Sequence, residues 1–143
     1  MTDWSRYVIT GSSGVAQSAV DKLESRLGVK FPDAYRDLVQ YADQAIFEVA
    51  QFPYGDEGDE TGISEFFECS PEERPYTVAY FVRGQQPPVR LIPIARDAGD
   101  FQICFSYDSS GSGEPSIVLE DPFSKQIYDV ARTFEDFLEV LHD

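Results

Sequence analysis

Apolar residues near the start of the chain recur at helical spacing. Ala16, Val20, Leu23 and Leu27 fall four, three and four positions apart, which places them on one face of a helix. Tyr35, Leu38, Val39 and Ala42 form a second stripe. Gly28 and Pro32 stand between the two. Gly28 suits the left-handed position that ends a helix, and Ser12 or Ser13 is placed to cap the first one. Pro32 has no N–H and a fixed φ, so it fits the first turn of the next helix. Two short helices joined this closely pack as a bent pair on one core.

Beyond Ala42 the apolar runs shorten and their period falls to two. Ile46–Phe52, Tyr76–Val82, Val89–Ile94 and Phe101–Tyr107 read as strands. In the last of these, Phe101, Ile103, Phe105 and Tyr107 alternate with Gln102, Cys104 and Ser106. Ser116–Leu119 and Gln126–Val130 read as a hairpin about Asp121-Pro122, and Asp108 to Glu114 as a Ser/Gly turn. Tyr54–Pro75 reads as a long acidic loop with one helical turn near Ser64–Phe67. Thr133 caps a closing helix with Asp136 at N3, and Phe134, Phe137, Leu138 and Leu141 form its apolar stripe. Helices at both ends with strands between predict an α+β domain: a mainly antiparallel meander sheet, with the N-terminal helix pair and the C-terminal helix packed on it. The expected organisation is an N-terminal arm, residues 1–14, followed by a single domain, residues 15–143.

Charge alters this picture more than composition does. The 143 residues carry 26 acids against 11 bases, a net charge of −15. Such a field repels nucleic acid and anionic membranes and suits a basic partner. The acids are blocked: Asp43 to Glu73 holds ten and no base, and Asp97 to Asp121 holds six and no base. Arg74 to Arg96 holds four arginines and no acid. Both opening helices are internally balanced, so the negative field is expected from the middle of the chain. No basic-then-apolar leader opens the sequence and no apolar run is long enough to span a bilayer. The expected location is the cytoplasm.

Candidate chemistry is sparse. His142 is the single histidine, next to the last residue, where an exposed and frayed end is expected. Ser–His and Cys–His nucleophiles therefore lack a base, and a histidine-built zinc site is ruled out. Cys69 and Cys104 lack C-x-x-C spacing; their pairing stays open. The Gly55-Asp56-Glu57-Gly58-Asp59-Glu60 segment admits three readings: a solvated loop, a protein-binding surface, or a hard-cation site, although it lacks the EF-hand register. Asp97, Asp100 and Asp108 at strand ends serve either as turn formers or as an acid/base set. Phe66 and Phe67 either pin the acidic loop to the core or act as apolar anchors inside a charged rim. Neither glycine-rich stretch is a phosphate loop or a nucleophile elbow.

The segment Leu23-Glu24-Ser25-Arg26-Leu27-Gly28-Val29-Lys30-Phe31-Pro32-Asp33-Ala34-Tyr35 resembles the helix–Gly–Pro–helix signature of the SUKH superfamily, the Smi/Knr-type domains. Leu91-Ile92-Pro93-Ile94-Ala95 followed by Asp97, Gly99 and Asp100 is similar to its mid-chain segment. Ile103 to Asp108 resembles its strand ending in Asp, and Val130-Ala131 with Phe134 to Leu138 its closing helix. The likeness covers Val15 to Leu141. It implies structural roles for Gly28, Phe31, Pro32, Tyr35, Pro93, Asp97, Gly99, Asp100, Asp108, Phe134 and Phe137. It also implies a non-catalytic protein-binding module without cofactor or metal. Many bacterial members resemble immunity proteins that neutralise polymorphic toxins, often nucleases; eukaryotic members resemble regulators of cell-wall synthesis and signalling. The expectation is therefore an immunity protein that meets a basic toxin through Asp56, Glu57, Asp59, Glu60, Glu65 and Glu68, with Phe66 and Phe67 as anchors. The alternative is a scaffold that docks a partner other than a toxin.

Overall fold

The computed structural model describes residues 2–108 and 113–143. The Ser/Gly turn expected over Asp108 to Glu114 falls partly on residues 109–112, outside the described residues.

The opening helices form where their apolar periods place them. Helix α1 spans Gln17–Leu27 and buries Val20, Leu23 and Leu27; α2 spans Asp33–Tyr41 and buries Ala34, Tyr35, Leu38 and Val39. Gly28 ends α1 at φ 72°, and its N–H donates to the Glu24 carbonyl at 2.9 Å. A side chain at Gly28 would meet Pro87 as well as a disfavoured φ. Glu24 is also the hinge of the junction. Its carboxylate accepts from the Phe31 N–H at 2.6 Å and pairs with Arg36. Pro32 is the N-cap residue of α2, one position before the expected first turn. Ser12 and Ser13 do not cap α1, because they lie in a strand and Ala16 holds the cap position.

That strand, β1 (Val8–Ser13), pairs antiparallel with β2 (Ala42–Phe47), which leaves α2 without an intervening loop. The N-terminal segment is thereby seated on the rest of the chain: β1 is paired, and Trp4 is 5% exposed and belongs to the core. The other six strands form one meander in chain order, every pair antiparallel. They are β3 (Gln51–Tyr54), β4 (Asp59–Phe66), β5 (Leu91–Asp97), β6 (Gln102–Ser106), β7 (Ser116–Glu120) and β8 (Ile127–Ala131). Pro93 sits in a central strand beside a register shift between Pro93 and Ala95, where a missing N–H is tolerated.

Two expectations fail here. Tyr54–Pro75 is not a long loop: Gly55 and Gly58, both at positive φ, close a tight turn that pairs Tyr54 with Asp59. The acids hid a hairpin whose inward side chains are few, among them Phe52, Ile63 and Phe66. Tyr76–Val82 is not a strand either. It contains a one-turn helix, α3 (Val78–Phe81), because the Thr77 hydroxyl caps the Tyr80 N–H at 3.1 Å. Strand propensity yields to the cap and to the burial of Val78 and Ala79.

The sheet curls until its two edges meet. The Gly55 N–H donates to the Asp129 carbonyl at 2.9 Å, and Tyr54 packs edge-on to Tyr128. Helix α4 (Phe134–Val140) fills the concave side. Thr133 caps it through the Asp136 N–H at 3.0 Å, as its sequence predicts. Phe134 meets Tyr35 and Phe105, and Phe137 meets Phe52, so helices and sheet share one aromatic centre. His142 is not frayed: it exchanges backbone hydrogen bonds with Gln51 at 2.9 and 3.0 Å and so covers the β3 edge.

Both cysteines are free and buried, and burial pushes the Cys69 thiol up to about 12. The Tyr35 hydroxyl is buried without a hydrogen-bond partner, and burial holds its phenol well above the usual range. Cys69 lies beside it, but outside hydrogen-bond geometry. Removing an unsatisfied buried hydroxyl removes only its desolvation cost, so Tyr35→Phe is expected to raise stability by about 1 kcal/mol. Urea unfolding checks this; a lowered midpoint would mean that the hydroxyl has a partner.

Candidate binding surfaces

The expected acidic set divides in two once folded. Glu60 pairs with His142 at 2.9 Å, Glu65 with Arg96 at 3.0 Å and Glu68 with Arg74 at 2.7 Å. Glu65 and Glu68 each face an arginine, and Glu60 faces the histidine near the end of the chain. Asp56, Glu57 and Asp59 stay exposed at the tip of the β3–β4 hairpin and make no ion pair among the described residues. Phe66 and Phe67 are not surface anchors. They are 3% and 2% exposed, because alternate residues of β4 and the residue after it face the core; Phe66 packs on Phe47 and Phe67 stacks on Phe81.

The hairpin tip forms one wall of a cleft of about 390 Å³. The other wall is β8, which contributes Ile127, Tyr128 and a fourth carboxylate, Asp129. Tyr54, packed edge-on to Tyr128, titrates above the usual phenol range, first through partial burial and then through Asp59.

A second acidic groove, about 430 Å³, runs between α2 and α4. Asp33 and Asp37 line one side, Glu135 and Glu139 the other, and Ala34, Leu138 and Tyr7 help to form the floor. The balance of charge along α2 does not survive folding. Arg36 turns toward α1, where Asp21 (2.9 Å) and then Glu24 hold its guanidinium above its ordinary value. The two aspartates are left facing α4. Sequence reading missed this groove, yet a signal was present: acids four apart on each helix. Like charges at that spacing destabilise a helix by about 0.2–0.5 kcal/mol.

The strand-end carboxylates do not converge. Asp97 is 3% exposed; its Oδ1 accepts from the Gly99 and Phe101 N–H groups at 2.8 Å each, and its Oδ2 from the Thr61 hydroxyl at 2.9 Å. This is a turn organiser with its lone pairs in use. Asp100 pairs with Arg96 at 2.9 Å, and Asp108 lies past the opposite end of β6. Among the described residues, no group of three or more His, Cys, Asp or Glu side chains is placed to hold a metal ion, and no helix is long and apolar enough to cross a membrane.

The model of the SMI1 / KNR4 family (SUKH-1) matches residues 14–140. The chain belongs to the SMI1 / KNR4 family. No curated protein and no solved structure matches it. Family members are in general binding domains without catalysis, and their partners are proteins. The family includes immunity proteins and cell-wall proteins of the Knr4 type. The motif residues take structural positions in this chain. Phe31, Tyr35, Phe134 and Phe137 form the aromatic centre, Gly28 ends α1, and Asp97 ties the β5–β6 turn.

Proposed function

We propose that this chain is a non-catalytic immunity protein of the cytoplasm that neutralises a basic toxin domain by occupying it. The observation that carries the reading is the placement of the free carboxylates. Asp33, Asp37, Glu135 and Glu139 flank an apolar floor, while Asp56, Glu57, Asp59 and Asp129 line a second cleft. The base nearest in sequence to the first set is turned away and paired. Concave, negatively charged surfaces with apolar floors suit lysine- and arginine-rich surfaces such as the cleft of a nuclease. A family whose members bind proteins supports the same reading.

The test starts from the gene immediately upstream, whose product is co-expressed and co-purified with this chain. The expected result is a stoichiometric complex and loss of the product's toxicity. Its association rate is expected to fall at least about tenfold between about 50 and about 300 mM salt, because screening removes the steering field. The combined variant Asp33→Asn, Asp37→Asn, Glu135→Gln, Glu139→Gln is expected to show a similar loss at low salt with its fold intact, since all four side chains are exposed. A complex formed at a salt-independent rate would remove the acidic reading. A harmless upstream product that still binds would replace the toxin with a scaffold partner.

A further inference from the structure

A third cleft, about 420 Å³, lies away from both acidic grooves and is lined by Phe67, Tyr76, Phe81, Arg96, Asp100 and Gln102. Its rings are arranged as a wall. Phe67 and Phe81 stack at 4.2 Å with 27° between planes, and Tyr76 stands edge-on to Phe81 at 6.5 Å. The Tyr76 side of this wall is open to water, with that residue 59% exposed. Two of the cleft's residues also hold backbone conformations that side chains disfavour: Tyr76 at φ 70° and Asp100 at φ 67°. For a bulky ring this is a strained choice. The strain is held on both sides, since the Glu68 N–H donates to the Tyr76 carbonyl and the Val78 N–H to the Glu68 carbonyl, each at 2.9 Å. The ring is thus presented from a fixed backbone.

The polar groups decide what such a wall can receive. Arg96 is already engaged, its Nε with Glu65 at 3.0 Å and its Nη1 with Asp100 at 2.9 Å. One base between two acids leaves a local surplus of one negative charge. The Asp100 side chain is 75% exposed, and its Oδ2 accepts no hydrogen bond among the described residues. An anionic ligand would meet the open oxygen of Asp100 and the net charge of −15. A purely apolar ligand would cover Asp100 and leave its oxygen unpaired. A guanidinium satisfies both halves: its flat face lies on a ring and its edge donates to a carboxylate.

We infer that this cleft is a clamp for a single arginine of the basic protein partner, with Tyr76 and Phe81 as the stacking faces and Asp100 as the acceptor. The inference rests on the basic-partner reading above and adds a specificity that charge alone does not supply. An ammonium group, compact and strongly hydrated, gains less from the ring than a guanidinium does.

The test compares two probes, a nonalysine peptide and the same peptide with one central arginine. Binding is measured by calorimetry and by the ring resonances of Tyr76 and Phe81. The arginine peptide is expected to bind wild type about fivefold more tightly and to shift both rings. Tyr76→Gly removes the ring at a φ that glycine adopts freely, so melting should stay near wild type while the fivefold advantage vanishes. Tyr76→Phe should keep it. Equal affinities in wild type, or an advantage that persists in Tyr76→Gly, would overturn the clamp and leave the acidic reading standing if lysine binding stays salt-sensitive. Failure of both peptides to bind would overturn both.

Discussion

Gly14→Ala is expected to cost roughly 3 kcal/mol or more of folding stability, a large share of the ~5–15 kcal/mol typical of a domain. A Cβ at this position would stand 1.8 Å from the Gln40 carbonyl oxygen and 2.4 Å from its carbon. The obstacle is backbone in the last turn of α2, so no rotamer change relieves it. The chain must lift away. Lifting it breaks the bond from the Val15 N–H to the Val39 carbonyl at 2.9 Å and disturbs the pairing of Ser13 with Ala42. Thermal and urea unfolding measure the effect, with a midpoint shift on the order of 10 °C expected. Ser13→Ala, at an exposed neighbour, should change little. A Gly14→Ala protein that melts with wild type would mean that the first residues are not seated on α2.

Asp97→Ala is expected to cost about 3–5 kcal/mol, because one buried carboxylate satisfies three donors. Alanine leaves the Phe101 N–H and the Thr61 hydroxyl unpartnered and frees the β5–β6 turn. Asp97→Asn should cost only about 1 kcal/mol, since the amide oxygen can still accept and its NH₂ can donate to the Thr61 hydroxyl. Faster amide exchange at Gly99 and Phe101 in the alanine variant would locate the damage. The turn also carries Asp100 and leads into Gln102, so the same variant is expected to loosen the aromatic cleft. Equal stabilities of the alanine and asparagine variants would mean that the carboxylate organises nothing. The family motif at Asp97, Gly99 and Asp100 thus has a structural reason in this chain.

Much of the fold was legible locally. Helices α1, α2 and α4 follow from apolar stripes at helical spacing, from Gly28 and from Thr133. Strand β6 follows from the alternation Phe101, Ile103, Phe105, Tyr107, and the β7–β8 hairpin from Asp121-Pro122, where the Asp121 side chain accepts from the Phe123 N–H. The β3–β4 hairpin was hidden because its polar positions are dense with acids, so its period-two pattern looked like a loop. Helix α3 was hidden because a run of strand formers is overridden by one hydroxyl, that of Thr77.

The binding surface was legible as a sign and not as a place. A chain with this excess of carboxylates has to present a negative field, whatever its fold. Which carboxylates remain free depends on partners that arrive from elsewhere along the chain. Arg96 reaches Glu65 across adjacent strands, and His142 reaches Glu60 from the C-terminal end. Arg36 leaves its own helix to serve Asp21 and Glu24, and so exposes Asp33 and Asp37 to α4.

Sequence by itself determined helices α1, α2 and α4, the later strands of the meander, the family and the sign of the charge, because periods, the Thr133 cap and composition act through neighbours only a few residues apart. Tertiary structure alone decided that Phe66 and Phe67 are core, that half of the expected acids are taken up by partners within the chain, and that acids from two helices converge on one groove. Those outcomes depend on which side chains meet across the fold, and a one-dimensional pattern does not encode such meetings.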